Sequence, residues 1–259
     1  MVEKTNIYSE ILSSRFGVKI GKIDESHLCI SSLGESLDSF KEQKFDLVVA
    51  RIDLTRLDLI NQLEQRGFTT KDVQCTLRNV FKDRHGNLLF NKVEREDGYV
   101  LREFEESDVD GIVDIAKRSF VNYGHYAADR RLDSKACLDA YVDWAYNSCI
   151  NKDVATKVFI AEKEHEVAAF IAYKRFDGDK TYAAGVLGGV SPDHRKKGLF
   201  PDIDIVALEW GIENGFDWEE HNVLMDNFSV MKSHMSVGFR PQESMVTLHG
   251  WLDEVKKDD

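Results

Sequence analysis

Between Leu187 and Asn214 the chain reads LGGVSPDHRKKGLFPDIDIVALEWGIEN, and this stretch limits the fold more sharply than any other. An apolar strand runs into Gly188-Gly189, where a bulge or a close backbone approach is expected. Pro192 has no N–H for a ladder, so the strand must stop. A polar turn follows from Asp193 to Gly198, carrying Arg195, Lys196 and Lys197 and closing on a glycine. Pro201 sits near a helix start, where a missing N–H costs nothing. Together these elements aim backbone donors and a helix dipole at an anion, an arrangement that binds phosphate with few side chains. A basic strand-to-helix turn that binds nothing has the same local composition.

The rest of the pattern is α/β. Residues 37–45 read as helix, the apolar run from Asp46 as a buried strand, and Leu57, Ile60 and Leu63 as one helix face stopped by Gly67. A strand follows from Asp72. The polar stretch from Lys82 to Asp97 reads as a linker, which divides the chain into an N-terminal half-domain over 1–97 and a second domain over 98–259. From Tyr99 the expected order is β-α-α-β-β-β-α-β-α-β, with Tyr141 and Trp144 in the core. The helix-ending QRGF at 65–68 and SVGF at 236–239, each leading into a strand, give a weak internal echo. Glycine-phenylalanine commonly ends a helix, which explains most of it.

The 259 residues carry a net charge of -12, which argues against a nucleic-acid partner, since that would require a basic face. No stretch has the apolar length to span a bilayer, and MVEKTNIYSE lacks the apolar core of a secretory signal. The four cysteines show neither a CxxC pair nor zinc-type spacing to histidine, so the sequence predicts no metal and a cytoplasmic protein with scattered thiols.

Val190, Pro192, Arg195 and Gly198 resemble the V-x-P-x-x-R-x-x-G signature of the Gcn5-related N-acetyltransferases, on the strand–turn–helix where that family has it. The resemblance implies a mixed, mostly antiparallel sheet flanked by helices, with acetyl-CoA as cosubstrate. It implies that the backbone from Arg195 through Lys196, Lys197, Gly198 and Leu199 to Phe200 holds the pyrophosphate. The end of the strand, Leu187, Gly188, Gly189 and Val190, would meet the pantetheine, with oxyanion donors near Gly189 and Val190. Phe200 stands where the family usually has a small residue. The next helix, NFSVMKSHMSV before Gly238-Phe239, is similar to the family's following helix. Asn227 matches its asparagine, Met231 would line the cofactor site, and His234 occupies the place of a tyrosine that acts as acid. Asn227 and His234 are seven residues apart and share a helix face. Taken singly, Asn227 is an N-cap and His234 a half-buried helix residue.

The acceptor would be gripped by the loop VNYGHYAADRRLD, where His125, Tyr126, Asp129 and Arg130 cluster. His125 or Asp129 would take a proton from an amine, and Arg130 or Arg131 would meet a phosphate. An ordinary exposed polar loop is the competing reading. SRFGVKIGKI, QRGF and Ser119-Phe120 are similar to the sugar-nucleotide acetyltransferases represented by dTDP-fucosamine acetyltransferase. The leading expectation is therefore transfer of an acetyl group to a small-molecule amine, best an amino-sugar nucleotide. Acetylation of a peptide, protein or polyamine is the alternative, and a non-catalytic acyl-CoA-binding module is a third class. Monomer and homodimer are both left open.

Overall fold

The computed structural model describes residues 6–23 and 28–255. The chain forms two compact units, each built from separate pieces: Met1–Gln74, Asn122–Cys137 and Glu243–Asp259 in the first, Cys75–Val121 and Leu138–Gln242 in the second. This division does not follow the boundary expected at 97/98. Residues 82–97, read from composition as a linker, have the second unit's core at both ends. Phe81, Phe90 and Tyr99 are buried there among Leu77, Leu199 and Phe239.

The first unit contains β1 (Asn6–Tyr8), α1 (Glu10–Phe16), β2 (Ile20–Ile23), α2 (Leu33–Glu42), β3 (Leu47–Asp53), α3 (Leu57–Gln65) and the start of β4 (Thr69–Asn79). It also takes α5 (Gly124–Ala127) and most of β10 (Arg240–Trp251). β3 is apolar on both faces, as a strand covered on both sides must be. Val48, Ala50 and Ile52 meet Phe40 of α2 and Leu59 and Leu63 of α3, while Leu47 and Val49 meet Tyr126, Leu132 and Trp251. β2 pairs with β3 in parallel over its whole length, from Ile20↔Leu47 to Ile23↔Ala50. β10 pairs antiparallel with the other edge of β3, from Met245↔Asp53 to Trp251↔Leu47. That pairing is why residues 243–251 belong with the N-terminal pieces.

The second unit contains β5 (Val100–Glu103), α4 (Val109–Ser119), α6 (Ser134–Ile150, from Leu138), β6 (Lys157–Lys163), β7 (Glu166–Phe176), β8 (Tyr182–Val190), α7 (Leu199–Glu213), β9 (Trp218–Leu224) and α8 (Phe228–Ser236). Its strands lie in the order β4-β9-β8-β7-β6-β5. β5 to β8 are antiparallel neighbours, whereas β8 and β9 run parallel. Ile203, Ala207 and Leu208 of α7 pack on Ile171 and Tyr173 of β7. Trp144, expected in the core, is 42% exposed, whereas Tyr141 is buried. Among the described residues no helix is long and apolar enough to cross a membrane. Cys75, Cys137 and Cys149 are buried thiols outside any disulfide, and Cys29 is an exposed one.

Candidate functional site

In the second unit the parallel pair β8–β9 parts along its length. Pairing runs from Tyr182↔Trp218 to Gly185↔His221 and then ends, although β8 continues to Val190 and β9 to Leu224. The cause is local. The β7–β8 register passes from Tyr173↔Gly185 to Ala172↔Leu187, so Val186 is an extra residue, a bulge that increases twist next to the parting. Gly185 is obligatory there, because a Cβ would lie 2.0 Å from His221 Nδ1. Beyond the bulge, among the described residues, the open edge of β8 is paired with no strand. Ser191 N–H donates to Ala168 O, which fixes the alternation of the antiparallel ladder. Gly189, opposite Phe170, therefore bonds to β7, and Gly188 and Val190 turn their N–H groups to the parted side. Of the two donors expected at Gly189 and Val190, the ladder alternation turns the Val190 N–H to the parted side and the Gly189 N–H to β7.

Past Val190 the chain makes a 3₁₀ turn, Pro192–His194, then an extended Arg195, then Lys196 and Gly198 with φ of 62° and 73°, and enters α7. Among the described residues, no intramolecular acceptor takes the N–H groups of Arg195 to Phe200. The turn is braced from outside. Arg95 Nη2 donates to Lys197 O at 2.9 Å and Nη1 pairs with Asp202 in the first turn of α7. The Tyr99 hydroxyl meets His194 Nδ1 at 2.8 Å, and Arg118 pairs with Asp193 at 2.5 Å. Arg195, Lys196 and Lys197 are exposed. Phe200, the departure from the family pattern, does not crowd the turn. Its ring lies edge-on to His234, with centroids 5.3 Å apart, and fills the room left by Gly188, whose Cβ would sit 3.2 Å from it. Leu187 and Leu199 are buried, and Val190 and Met231 pack on the core. Asn227 caps α8, accepting from Val230 N–H at 3.3 Å.

Beneath the parted strands His234 belongs to a buried polar cluster whose other members reading the sequence missed. His234 Nδ1 lies 2.7 Å from Asp204 Oδ2, and the Tyr173 hydroxyl donates to Asp204 Oδ1 at 3.0 Å. The rings of His221 and His234 stack at 4.0 Å and 24°. Burial, followed by the nearby Asp204, holds the Glu219 carboxyl well above its ordinary range, hence neutral. Burial, followed by the neighbouring His234, holds His221 well below its ordinary range. Asp204, His221 and His234 are close enough to suggest a metal centre. Their geometry does not suit one. A metal bound by both imidazoles must lie in both ring planes about 2.0–2.1 Å from each nitrogen, and nearly parallel stacked planes do not meet at that reach. The sequence held a signal for Asp204, a carboxylate set between Ile203 and Ile205 in the apolar run of α7.

Solved structures of low sequence identity share this architecture. A tandem GNAT protein from the clavulanic acid biosynthesis pathway superposes with a TM-score of 0.64 at 12% identity, over 94% of this chain and 77% of that one. A GCN5-related N-acetyltransferase from Sphaerobacter thermophilus gives 0.62 at 12% identity, over 95% and 76%. The fold is that of the Gcn5-related N-acetyltransferases. A GCN5-related glucosamine N-acetyltransferase region of a fungal multi-domain GH3 β-N-acetylglucosaminidase has this acetyltransferase fold too, with a TM-score of 0.60 and 12% identity over 95% of this chain and 30% of that one. No protein-family model and no curated protein matches the sequence.

Within this acetyltransferase fold, the loop expected to grip the acceptor belongs to the first unit. His125 and Asp129 are buried in a chain of hydrogen bonds, with His249 Nδ1 2.7 Å from Asp129 Oδ2 and His249 Nε2 2.8 Å from His125 Nδ1. Trp251 Nε1 also donates to Asp129 at 3.1 Å. Burial opposes the charge of Asp129, but bonds from His249, the Arg131 N–H and Trp251 outweigh it and hold the carboxyl well below its usual range. Burial lowers His125 strongly, with His249 adding to it. The Tyr126 ring packs at a tilt of about 40° against His125 and Phe16. Arg131 pairs with Asp253 and Glu254 over the face of Trp251. Of the four expected acceptor residues, Arg130 is the exposed one.

Proposed function

We propose that this chain is an acetyl-CoA-dependent N-acetyltransferase acting on a primary amine. One observation carries the reading: two parallel strands that part after Gly185 and His221, with a turn of unpaired amides at the far end of β8. The parted strands offer backbone edges to an extended amide-bearing arm, and the turn offers donors and a helix N-terminus to a pyrophosphate. The turn fits such a group: Gly198 has a positive φ, and the basic side chains at 195–197 face solvent.

A thioester is already activated, so no covalent intermediate on the protein is required. The protein must position an unprotonated amine, stabilise charge on the carbonyl oxygen and help the thiolate leave. Backbone from Arg195 to Phe200 would hold the pyrophosphate, and the N–H groups of Gly188 and Val190 would face the arm and the carbonyl. His234 is the group proposed to protonate the departing sulfur. An amino-sugar acceptor is the finer part of the proposal. Its support is the likeness of the N-terminal motifs and the glucosamine N-acetyltransferase region among the neighbours of the fold. A cytoplasmic setting belongs to the same proposal.

The test combines calorimetric titration with acetyl-CoA and a CoA-release assay against amino-sugar nucleotides, polyamines and peptides. Binding with 1:1 stoichiometry and release on adding an amino sugar are expected. No binding by the folded protein defeats the reading. Acetylation of peptides alone replaces the acceptor class but keeps the activity.

A further inference from the structure

Helix α7 presents the phosphate turn and also carries Asp204, a carboxylate with 0% exposure, about one and a half turns further on. Among the described residues, the titratable groups facing His234 are Asp204 from α7 and His221 from β9, with Tyr173 of β7 and Glu219 of β9 reaching it through Asp204. Glu219 has neither carboxyl oxygen bonded and is held neutral by burial. His221 is held uncharged, also chiefly by burial. Asp204 is thus the carboxylate of this cluster that is bonded, accepting from the Tyr173 hydroxyl at Oδ1 and lying 2.7 Å from His234 Nδ1 at Oδ2.

An ionised carboxylate only accepts, so His234 donates to Asp204 from Nδ1. A neutral His234 held this way has a bare Nε2 and no proton for a ligand. Only the imidazolium, with a second N–H at Nε2, can act as an acid. We propose that Asp204 is the positioning residue of this acid: it fixes the imidazole through Nδ1, supplies the buried counter-charge of the imidazolium, and leaves Nε2–H as the proton that reaches sulfur. The inference rests on the reading of His234 as the acid. In the step, the amine nitrogen bonds to the acyl carbon and loses a proton to solvent. The carbon–sulfur bond breaks, sulfur keeps the electron pair, and Nε2 gives it the proton. Water then returns a proton to Nε2.

The experiment is the pH dependence of kcat for the full chain and for Asp204→Asn and His234→Phe, with KM for acetyl-CoA measured alongside. Wild-type kcat falls at high pH as the imidazolium is lost. In Asp204→Asn that fall moves to lower pH, so that kcat drops roughly tenfold or more at a pH on the wild-type plateau, with KM for acetyl-CoA little changed. An unmoved pH profile in Asp204→Asn, with a slow His234→Phe, overturns the positioning role and spares the acid. A His234→Phe variant at the wild-type rate removes the acid itself. Should Asp204→Asn fail to fold, ¹⁵N NMR of the wild-type imidazole decides. A neutral His234 protonated at Nδ1 supports the proposal, and one protonated at Nε2 overturns it.

Discussion

Replacing Gly185 by alanine puts a methyl group where the two parallel strands separate. Its Cβ would lie 2.0 Å from His221 Nδ1, 2.4 Å from Cε1 and 3.1 Å from Cγ. The His221 ring cannot withdraw freely. It is stacked at 4.0 Å on His234 and lies edge-on to Tyr173 at 5.3 Å and to Phe239 at 5.1 Å. Forcing a methyl into a packed interior costs about 1–3 kcal/mol, and clash with a held ring points to the upper half. Restricting the unfolded chain at a former glycine returns about 0.5 kcal/mol. The expected net loss is about 2 kcal/mol, or a melting temperature lower by roughly 4–8 °C for a domain of about this size. Thermal denaturation of Gly185→Ala, His221→Ala and the double variant tests the cause. With the ring gone the methyl has room, so the double variant should recover at least about 1 kcal/mol relative to the sum of the single losses. Strictly additive losses would refute the claim that His221 requires the glycine.

Two further outcomes follow from contacts in the second unit. Arg95→Met removes the guanidinium that holds Lys197 O and Asp202, so calorimetry should show acetyl-CoA affinity falling roughly tenfold, about 1.4 kcal/mol, while saturated turnover holds. Glu219→Gln should stabilise the protein progressively as pH rises. The folded carboxyl is raised above its ordinary 4.5, so its stabilising contribution is full below that pH and is lost as the unfolded form ionises above it. Glutamine does not titrate; melting temperatures of the two proteins should therefore differ more at about pH 8 than at about pH 4, and a constant difference speaks against a buried neutral acid.

The elements with strong periodicity were legible: the helix faces of α3 and α4, the strands β6 to β8 and the β8–turn–α7 sequence, where glycine and proline leave few conformations open. Three features were not. The start of the chain, with β1, α1 and β2, is made of elements too short to show a period. Residues 82–97 are polar because Asp83 closes a turn on Asn87, yet Phe81 and Phe90 anchor both sides, and composition averages those two rings away. Local pattern also cannot show that residues 122–137 and 243–251 complete a unit begun by residues 6–74, because strand pairing is set by partners far along the chain. The same limit applied to the site. The turn is local and was found; Asp204, Tyr173, His221 and Glu219 come from three elements, and only packing brings them to His234. The acceptor loop was read as open because it is polar, but His249 and Trp251, more than a hundred residues on, engage His125 and Asp129.

The partner of β3 along one edge is made late. Until residues 243–251 have been synthesised, β3 has its parallel neighbour β2 on one side and no antiparallel neighbour on the other. A seven-residue strand edge, apolar except at Arg51 and Asp53, is then open to pairing with another nascent chain, a template for aggregation. β3, made well before β10, is thus sealed late, and folding of the first unit waits on a loop closure from residues 47–53 to residues 245–251, which slows it. Biosynthesis of this protein therefore has a window of vulnerability set by translation speed, in which a chaperone covering residues 47–53 would raise the yield without touching the finished fold.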